Sequence, residues 1–306
     1  MNTTVMSLLK LARPHLFTGT LILYFTGAFF AALMGYPFDI PKFLLGLGIV
    51  STALLSMSYG NNYFDTEVDK LSTPTPFSGG GGTLLQNNKL RSLVKRISIA
   101  SILLSLLLAI VFIIVFSYSF EFFLYVLTGN ILAWFYTAPP LKFSYRGLGE
   151  IATMIAIGLM IPGLGFYVLA QTIDIALVLL TVPLMLYMAV FIISAEIPDR
   201  QGDRLGKKKT FVVRTSAFTG HFANAMFALM AAVYFFILAF SKVLSVPVDF
   251  FILAIFSLIP FGIGLISLFI HSKTSQIHLG IMNANVSSIV IFILMINVYF
   301  GVLVFF

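Results

Sequence analysis

Two short acidic segments hold the residues of this sequence whose types and spacing best suit chemistry. The first segment contains Asn61, Asp65 and Asp69, and the second contains Asp199 and Asp203, all at four-residue spacing. Side chains four apart lie on one face of a helix, so each segment presents its oxygen atoms together. Magnesium prefers oxygen ligands and is usually held by one or two carboxylates together with substrate phosphates. The two segments therefore predict two halves of one magnesium–diphosphate site.

The rest of the sequence is strongly apolar and indicates the elements that must position this site. Of the 306 residues, 59% are hydrophobic and only 9% are charged, with a mean hydropathy of +1.04. A soluble domain needs far more surface charge, whereas a membrane-spanning helix needs roughly twenty apolar residues. Apolar runs lie at 17–35, 43–64, 97–118, 122–138, 149–170, 175–195, 217–241, 250–271 and 281–306. We expect one all-α integral-membrane domain over residues 1–306, with about nine transmembrane helices.

Basic residues are distributed very unequally between the two sides of these runs. One side carries only Lys42 and Lys242, and the other carries sixteen: Lys10, Arg13, Lys70, Lys89, Arg91, Lys95, Arg96, Lys142, Arg146, Arg200, Arg204, Lys207, Lys208, Lys209, Arg214 and Lys273. The positive-inside rule then places the N-terminus and both acidic segments in the cytoplasm and the C-terminus outside. The net charge of +7 therefore reflects topology in a lipid bilayer, and no nucleic-acid partner is expected.

The acidic residues differ between the two sides. Carboxylates close to a bilayer are costly, so the clustered cytoplasmic ones indicate function. Asp39, Glu121, Asp174 and Asp249 fall in short outer loops, where ordinary solubility explains them. The four histidines have no ligand-like spacing, and the absence of cysteine excludes thiolate nucleophiles and cysteine metal sites.

Other residues near the acidic segments allow two interpretations each. Lys142 and Arg146 either contact a diphosphate or only anchor the chain by the positive-inside rule. Tyr136 either contacts a cation or the substrate through its ring or only packs against its neighbours. The glycine run 79–82 is either a flexible loop or a backbone nest for phosphate oxygens. We also expect kinks at Pro162, Pro183 and Pro260 and a short helix on the membrane face over Leu84–Arg96.

Taken together, these residues resemble the UbiA superfamily of intramembrane prenyltransferases. The resemblance rests on Asn61-Asn62-Tyr63-Phe64-Asp65 with Asp69, and on Glu196-Ile197-Pro198-Asp199 with Asp203, Gly206, Lys209 and Thr210. Arg13-Pro14 and the stretch from Tyr136 to Lys142 add to it, so it covers essentially the whole chain. Residues 75–80 and the Ile197-Pro198-Asp199 variant are most similar to the branch that prenylates 1,4-dihydroxy-2-naphthoate in menaquinone synthesis.

The resemblance implies a helix bundle around a central cavity that has a cytoplasmic cap and opens laterally to lipid. It implies an isoprenyl diphosphate donor such as geranylgeranyl or a longer diphosphate, an aromatic acceptor and Mg2+. It assigns catalysis to Asp65, Asp69, Asp199, Asp203, Lys142 and Tyr136, metal binding to Asn61 and the four aspartates, and the diphosphate side to Asn61, Arg13 and Arg146. Many relatives carry an arginine after the first motif, but this chain has none between Lys70 and Lys89. Gly158, Gly163 and Gly165 suggest room for the prenyl tail.

Two other functions remain open from the sequence alone. One is prenyl transfer to a different acceptor, such as geranylgeranylglyceryl phosphate, hydroxybenzoate, chlorophyllide or haem. The other is secondary transport, in which carboxylates at the membrane midplane couple ions to substrate movement. Every acidic residue here maps to a span end or a loop, which favours the enzyme.

Overall fold

The protein is a bundle of helices. The computed structural model describes residues 3–71, 83–241, 243–269 and 275–306, and within these ranges no strand is present. The main helices are α1 (Thr3–Leu11), α2 (Pro14–Leu33), α3 (Ile40–Asp69), α4 (Arg91–Phe116), α5 (Phe120–Phe135), α6 (Gly149–Ala170), α7 (Ile175–Leu205), α8 (Ala217–Ser241), α9 (Phe250–Phe269) and α10 (Ser275–Phe305). The glycine run 79–82, Lys242, His271 and Lys273 lie outside the described residues.

Eight helices in the described ranges are long and apolar enough to cross a membrane, and they coincide with eight of the nine predicted runs. The ninth run falls on α5, which has 16 residues and is about 24 Å long. Tyr118, just before α5, donates to the Val168 carbonyl near the end of α6 at 2.7 Å. Tyr136, just after α5, lies with Asp65 at the opposite end of the bundle. Therefore α5 runs from one end of the bundle to the other. We call the end where α3 and α7 finish, at Asp69 and Leu205, the motif end.

The helices α2 and α6 pack with their backbones in close approach. A Cβ atom at Gly165 would collide with the carbonyl oxygen of Tyr24, and one at Gly27 would collide with the carbonyl oxygen of Pro162. Small residues at such crossings are a common device of membrane helix packing. The buried Tyr24 hydroxyl also donates to the Phe43 carbonyl at 2.8 Å, which ties α2 to α3.

Carboxylates at the far end of the bundle cap helices. The Asp39 side chain accepts from the backbone N–H of Lys42 at 3.0 Å, and Asp174 accepts from that of Ala176 at 2.7 Å. Asp249 likewise accepts from the N–H of Phe251 at 2.9 Å. These bonds satisfy N–H groups that have no partner within their own helix. Three of the four outer acids expected only to aid solubility therefore have a structural role as well.

The irregular segments differ in part from expectation. A π-helical stretch, Met154–Met160, precedes Pro162 within α6, while α7 and α9 continue across Pro183 and Pro260. The predicted membrane-face helix over Leu84–Arg96 is wrong, because Thr83–Gln86 is a separate short helix and α4 already begins at Arg91. Its apolar side chains (Leu84, Leu90 and Val94) instead form a buried cluster with Leu11 and Tyr59.

Candidate active site

Both acidic motifs line one cavity at the motif end. Asn61, Asp65 and Asp69 occupy the last turns of α3, and Asp199 and Asp203 occupy the last turns of α7. All five side chains face a shared cavity of about 170 Å³. The four-residue spacing therefore places each set of side chains on one helix face, as predicted. The two predicted half-sites lie on the same cavity.

Lys208 links the two motifs. Its Nζ atom lies 2.9 Å from Oδ2 of Asp65 and 3.4 Å from Oδ1 of Asp203. Lys207 adopts a left-handed backbone conformation after Gly206, and the N–H of Lys208 donates to the Asp203 carbonyl at 2.9 Å. Burial alone would lower the pKa of Lys208, but the carboxylates of Asp65 and Asp203 outweigh burial and raise that pKa well above its usual value. Lys208 is thus a charged contact between the motifs.

The loop after α5 supplies further hydrogen bonds to the first motif. The Tyr145 hydroxyl donates to Oδ1 of Asp65 at 2.7 Å, and the Thr137 hydroxyl donates to Oδ1 of Asn61 at 2.9 Å. Burial, together with the nearby Asp65 carboxylate, raises the pKa of Tyr145. Its hydroxyl therefore stays protonated and remains a donor to Asp65.

Arg13 reaches the cavity from the junction between α1 and α2. Its backbone is left-handed, with φ of 51°, and its side chain lines the cavity. Asn62 positions this junction, because its Nδ2 atom donates to the Leu11 carbonyl at 3.2 Å. Burial lowers the pKa of Arg13, and the carboxylates of Asp69, Asp65 and Asp199 oppose that effect. An arginine stays protonated in such a setting, so Arg13 adds positive charge beside both motifs.

Tyr136 also lines the cavity, whereas Lys142 and Arg146 do not. Burial and the nearby Glu196 carboxylate raise the pKa of Tyr136, so its hydroxyl keeps its proton. Lys142 is exposed, and its Nζ atom lies 5.0 Å from the centre of the Tyr145 ring. Arg146 is exposed as well and donates to the Pro140 carbonyl at 2.9 Å. The structure therefore brings seven of the nine predicted site residues together and leaves these two at the rim.

The donor atoms of the cavity suit magnesium shared with a phosphate ligand. In the described part of the chain, no group of three or more His, Asp or Glu side chains is close enough to hold a metal on its own. Magnesium, however, needs only one or two carboxylates when phosphates and water complete its shell. The two carboxylate pairs with Asn61 provide such a set, and the Lys208 ammonium between Asp65 and Asp203 shows that the position accepts a cation.

Two apolar pockets within the bundle share lining residues with the cavity, and we call them its inner and outer limbs. The inner limb lies between α3, α5 and α6 and begins at Met57, Ala133 and Ala156. The outer limb lies between α2, α7 and α10 and begins at Leu16, Thr20 and Phe191. Ile157 lines the cavity and both limbs. A polar head with apolar limbs is the shape expected for ligands that combine a charged group with a hydrocarbon chain.

Comparison with known proteins identifies the family. Residues 20–289, most of the chain, match the model of the UbiA prenyltransferase family. The chain belongs to this family. It is therefore a multi-pass membrane member of a prenyltransferase family, which confirms the resemblance, the all-helical fold class and the enzyme class predicted from sequence. This family membership also removes the transporter alternative.

Individual relatives of this UbiA family member are more distant. The 1,4-dihydroxy-2-naphthoate octaprenyltransferase of Bacillus subtilis (strain 168) is 23% identical over 205 residues, which cover 67% of this chain and 64% of that relative. A UbiA homolog from Archaeoglobus fulgidus bound to GPP and Mg2+ superposes with a TM-score of 0.67 and 16% identity, covering 95% of this chain and 99% of that one. A digeranylgeranylglyceryl phosphate synthase structure gives a TM-score of 0.59 and 17% identity, covering 95% and 99%. At these identities the structures establish a shared fold.

Proposed function

We propose that this prenyltransferase transfers a polyprenyl group from an isoprenyl diphosphate to an aromatic, naphthoate-type acceptor, with Mg2+ as its cofactor. The observation that carries the proposal is the single cavity shared by both aspartate motifs, Arg13 and Lys208, with apolar limbs leading away from it. The named Bacillus subtilis relative supports the naphthoate acceptor. The Archaeoglobus fulgidus neighbour, bound to GPP and Mg2+, supports the donor class and the metal.

We assign a role to each residue of the cavity from its position. The residues that would hold Mg2+ at the donor diphosphate are Asn61, Asp65, Asp69, Asp199 and Asp203. Arg13 lies beside these carboxylates and Lys208 lies between the motifs. Both therefore contact the diphosphate and supply positive charge that the stretch between Lys70 and Lys89 lacks. Lys142 and Arg146 act at the exposed rim, where they attract the diphosphate before it enters.

The cavity then favours cleavage of the allylic carbon–oxygen bond. Mg2+ held by the two motifs would supply positive charge at the departing diphosphate. Arg13 and Lys208 donate hydrogen bonds to the same oxygens, while the Tyr136 ring offers an electron-rich face to the developing allylic cation. The apolar limbs exclude water that would otherwise capture this cation. The prenyl tail extends along a limb toward lipid. An electron-rich ring carbon of the acceptor attacks the allylic carbon as the diphosphate leaves, and the naphthoate carboxylate departs as CO2, which restores the aromatic ring.

The acceptor is tested by offering one donor to several acceptors. Purified protein in detergent, radiolabelled geranylgeranyl diphosphate and Mg2+ are incubated with 1,4-dihydroxy-2-naphthoate, hydroxybenzoate or geranylgeranylglyceryl phosphate, with and without EDTA. We expect a labelled apolar product with the naphthoate that EDTA abolishes. Transfer only to geranylgeranylglyceryl phosphate, the kind of acceptor suggested by the synthase neighbour, would replace the naphthoate proposal and keep the donor chemistry.

Replacing one carboxylate in each motif tests the metal site. Asp65→Asn and Asp199→Asn remove charge with little change in size, so we expect each to lower transfer about 100-fold or more, a typical effect of losing one charge-stabilising group. Glu67→Gln is the matched control, since Glu67 pairs with Lys70 on the surface near Asp65 and does not line the cavity. Transfer at the wild-type rate in either aspartate variant would rule out the metal-site assignment.

A further inference from the structure

One wall of the cavity carries buried polar atoms that the proposed donor site does not use. Glu196 and Thr210 are each only 5% exposed, and both side chains line the cavity. Neither Oε2 of Glu196 nor Oγ1 of Thr210 has a hydrogen-bond partner within the described ranges of the chain. Buried polar atoms in proteins nearly always have a hydrogen-bond partner. These two atoms are therefore placed to bind a ligand.

Local structure holds the Glu196 carboxyl group in place. Glu196 lies three residues before Asp199 on α7, so the two share a helix face. Its carboxyl group rests against Glu150 and the backbone N–H of Val212. Glu150 in turn accepts a hydrogen bond from the backbone N–H of Phe211. The start of the short helix Phe211–Arg214 therefore anchors both glutamates, and one oxygen of Glu196 remains free to bind a ligand.

The charge around this wall excludes the diphosphate as its ligand. Two carboxyl groups, Glu150 and Glu196, lie side by side. Lys208, which also lines the cavity, forms its ion pairs with Asp65 and Asp203, and in the described part of the chain no ion pair reaches Glu196. A phosphate placed here would face like charge, which is destabilising in a low-dielectric cavity. A neutral hydroxyl group, which donates one hydrogen bond, suits the site.

We propose that Glu196 binds and orients the acceptor by accepting a hydrogen bond from an acceptor hydroxyl, with Thr210 as a second contact. This inference rests on the proposed prenyl transfer and names the acceptor side of the same cavity. Tyr136 is electrostatically coupled to Glu196, so a ring bound at Glu196 lies beside the face that meets the allylic cation.

The wild-type enzyme should prefer an acceptor with a free hydroxyl group over the corresponding methyl ether. The hydrogen bond needs a free hydroxyl, so a methyl ether at the same position loses it and leaves the carboxyl oxygen without a partner. A site built to hydrogen-bond a hydroxyl discriminates strongly against analogues that lack it. We expect kcat/KM for 1,4-dihydroxy-2-naphthoate to exceed that for at least one of its two monomethyl ethers by about tenfold or more.

The variant Glu196→Gln tests whether this selectivity comes from Glu196. We expect the KM for 1,4-dihydroxy-2-naphthoate to rise about tenfold, because the glutamine amide can present its NH2 group, which only donates, where the carboxyl oxygen accepted the hydrogen bond. The KM for geranylgeranyl diphosphate should stay within about twofold, and the preference for hydroxyl over methyl ether should largely disappear. Glu196→Asp withdraws the carboxyl group by one methylene but keeps its accepting oxygens, so it should recover part of the preference. Glu67→Gln, a surface glutamate change outside the cavity, should behave as wild type.

Several results would overturn the proposal. An unchanged acceptor KM with the ether preference intact in Glu196→Gln shows that Glu196 does not bind the hydroxyl. A parallel rise in the donor KM places Glu196 on the diphosphate side instead. Equal rates with the hydroxyl and both ethers in the wild type refute the proposal without any variant. If the wild type transfers to no acceptor, the proposed function fails, and equilibrium dialysis of labelled 1,4-dihydroxy-2-naphthoate against wild type and Glu196→Gln still decides whether Glu196 binds it.

Discussion

Lys208 places a positive charge between the carboxylates of the two motifs. Its ammonium group contacts Asp65 and Asp203 at once, and the three side chains are nearly buried. Two carboxylates this close would repel each other in a low-dielectric setting without a cation. Lys208 therefore acts as the counter-ion of the metal-free site, and it must share or release its carboxylates when Mg2+ and the diphosphate bind.

This counter-ion role predicts a metal-dependent loss of stability in Lys208→Met. Without Mg2+, the variant leaves two buried carboxylates without their cation, so we expect its free energy of unfolding to fall by about 3 kcal/mol. Added Mg2+ binds only the folded state and should raise the melting temperature of the variant more than that of the wild type. Thermal unfolding in detergent, with EDTA or with Mg2+, measures both effects. Lys207→Gln changes an exposed neighbour and should show neither; equal melting temperatures for Lys208→Met and wild type in EDTA would refute the role.

The sequence reveals the two aspartate motifs but not their partners. Four-residue spacing is enough to predict a shared helix face for Asp65 and Asp69, because the helical period alone decides it. By contrast, Lys207, Lys208 and Lys209 are identical in type, and of the three only Lys208, which follows the left-handed turn at Lys207, lines the cavity. Glu196 appears in the sequence as part of a motif, yet its orphaned oxygen depends on α7, Glu150 and the 211–214 helix meeting in space. Contacts between distant segments are what sequence spacing cannot supply.

Helix packing gives the glycines of α6 a different role from the one their small size suggests. Small size alone predicts room for the prenyl tail. Instead a Cβ atom at Gly165 would collide with Tyr24, one at Gly158 with the Met185 backbone and one at Gly163 with the Tyr125 hydroxyl. The space left by the missing side chains is therefore filled by neighbouring helices, and the two apolar limbs lie between helices instead.

Alanine substitutions at the α2–α6 contact test this packing. Gly165→Ala and Gly27→Ala place a methyl group against a backbone carbonyl that cannot move without separating the helices. We expect each to reduce the free energy of unfolding by about 3 kcal/mol, at the upper end of ordinary overpacking. Gly262→Ala is the matched control, because a Cβ atom there meets nothing within 4 Å, and its melting temperature should be unchanged or slightly higher. Equal melting temperatures for all three variants would contradict the assigned packing.

The two ends of the molecule differ in their charged residues and in what those residues do. The far end has helix caps from Asp39, Asp174 and Asp249, whereas the motif end carries nearly all of the basic residues and the cavity. The apolar runs and the charge asymmetry are both visible in the sequence, because membrane spans depend on length and composition. The approximate number of transmembrane helices and the all-helical fold therefore follow from the sequence. The course of α5 through the bundle, by contrast, depends on contacts such as that of Tyr118 with Val168.

The asymmetry predicts the orientation of the chain in its membrane. We expect the motif end and the N-terminus to face the cytoplasm and the C-terminus to lie outside. Because the sequence contains no cysteine, single-cysteine variants need no background correction. Lys207→Cys, at the motif end, should react with a membrane-impermeant maleimide only in inside-out vesicles. Ser245→Cys, in the exposed loop before α9, should react only from the opposite side; the reverse pattern would invert the topology.

The limbs and the polar head of the cavity have a thermodynamic consequence. A hydrophilic leaving group departs at the basic rim into water, while a prenylated product partitions along an apolar limb into the bilayer. The two products are then diluted into different phases and rarely meet again at the site. Prenyl transfer would thereby be made effectively one-way by phase separation of its products, in addition to the free energy of the bond that is broken.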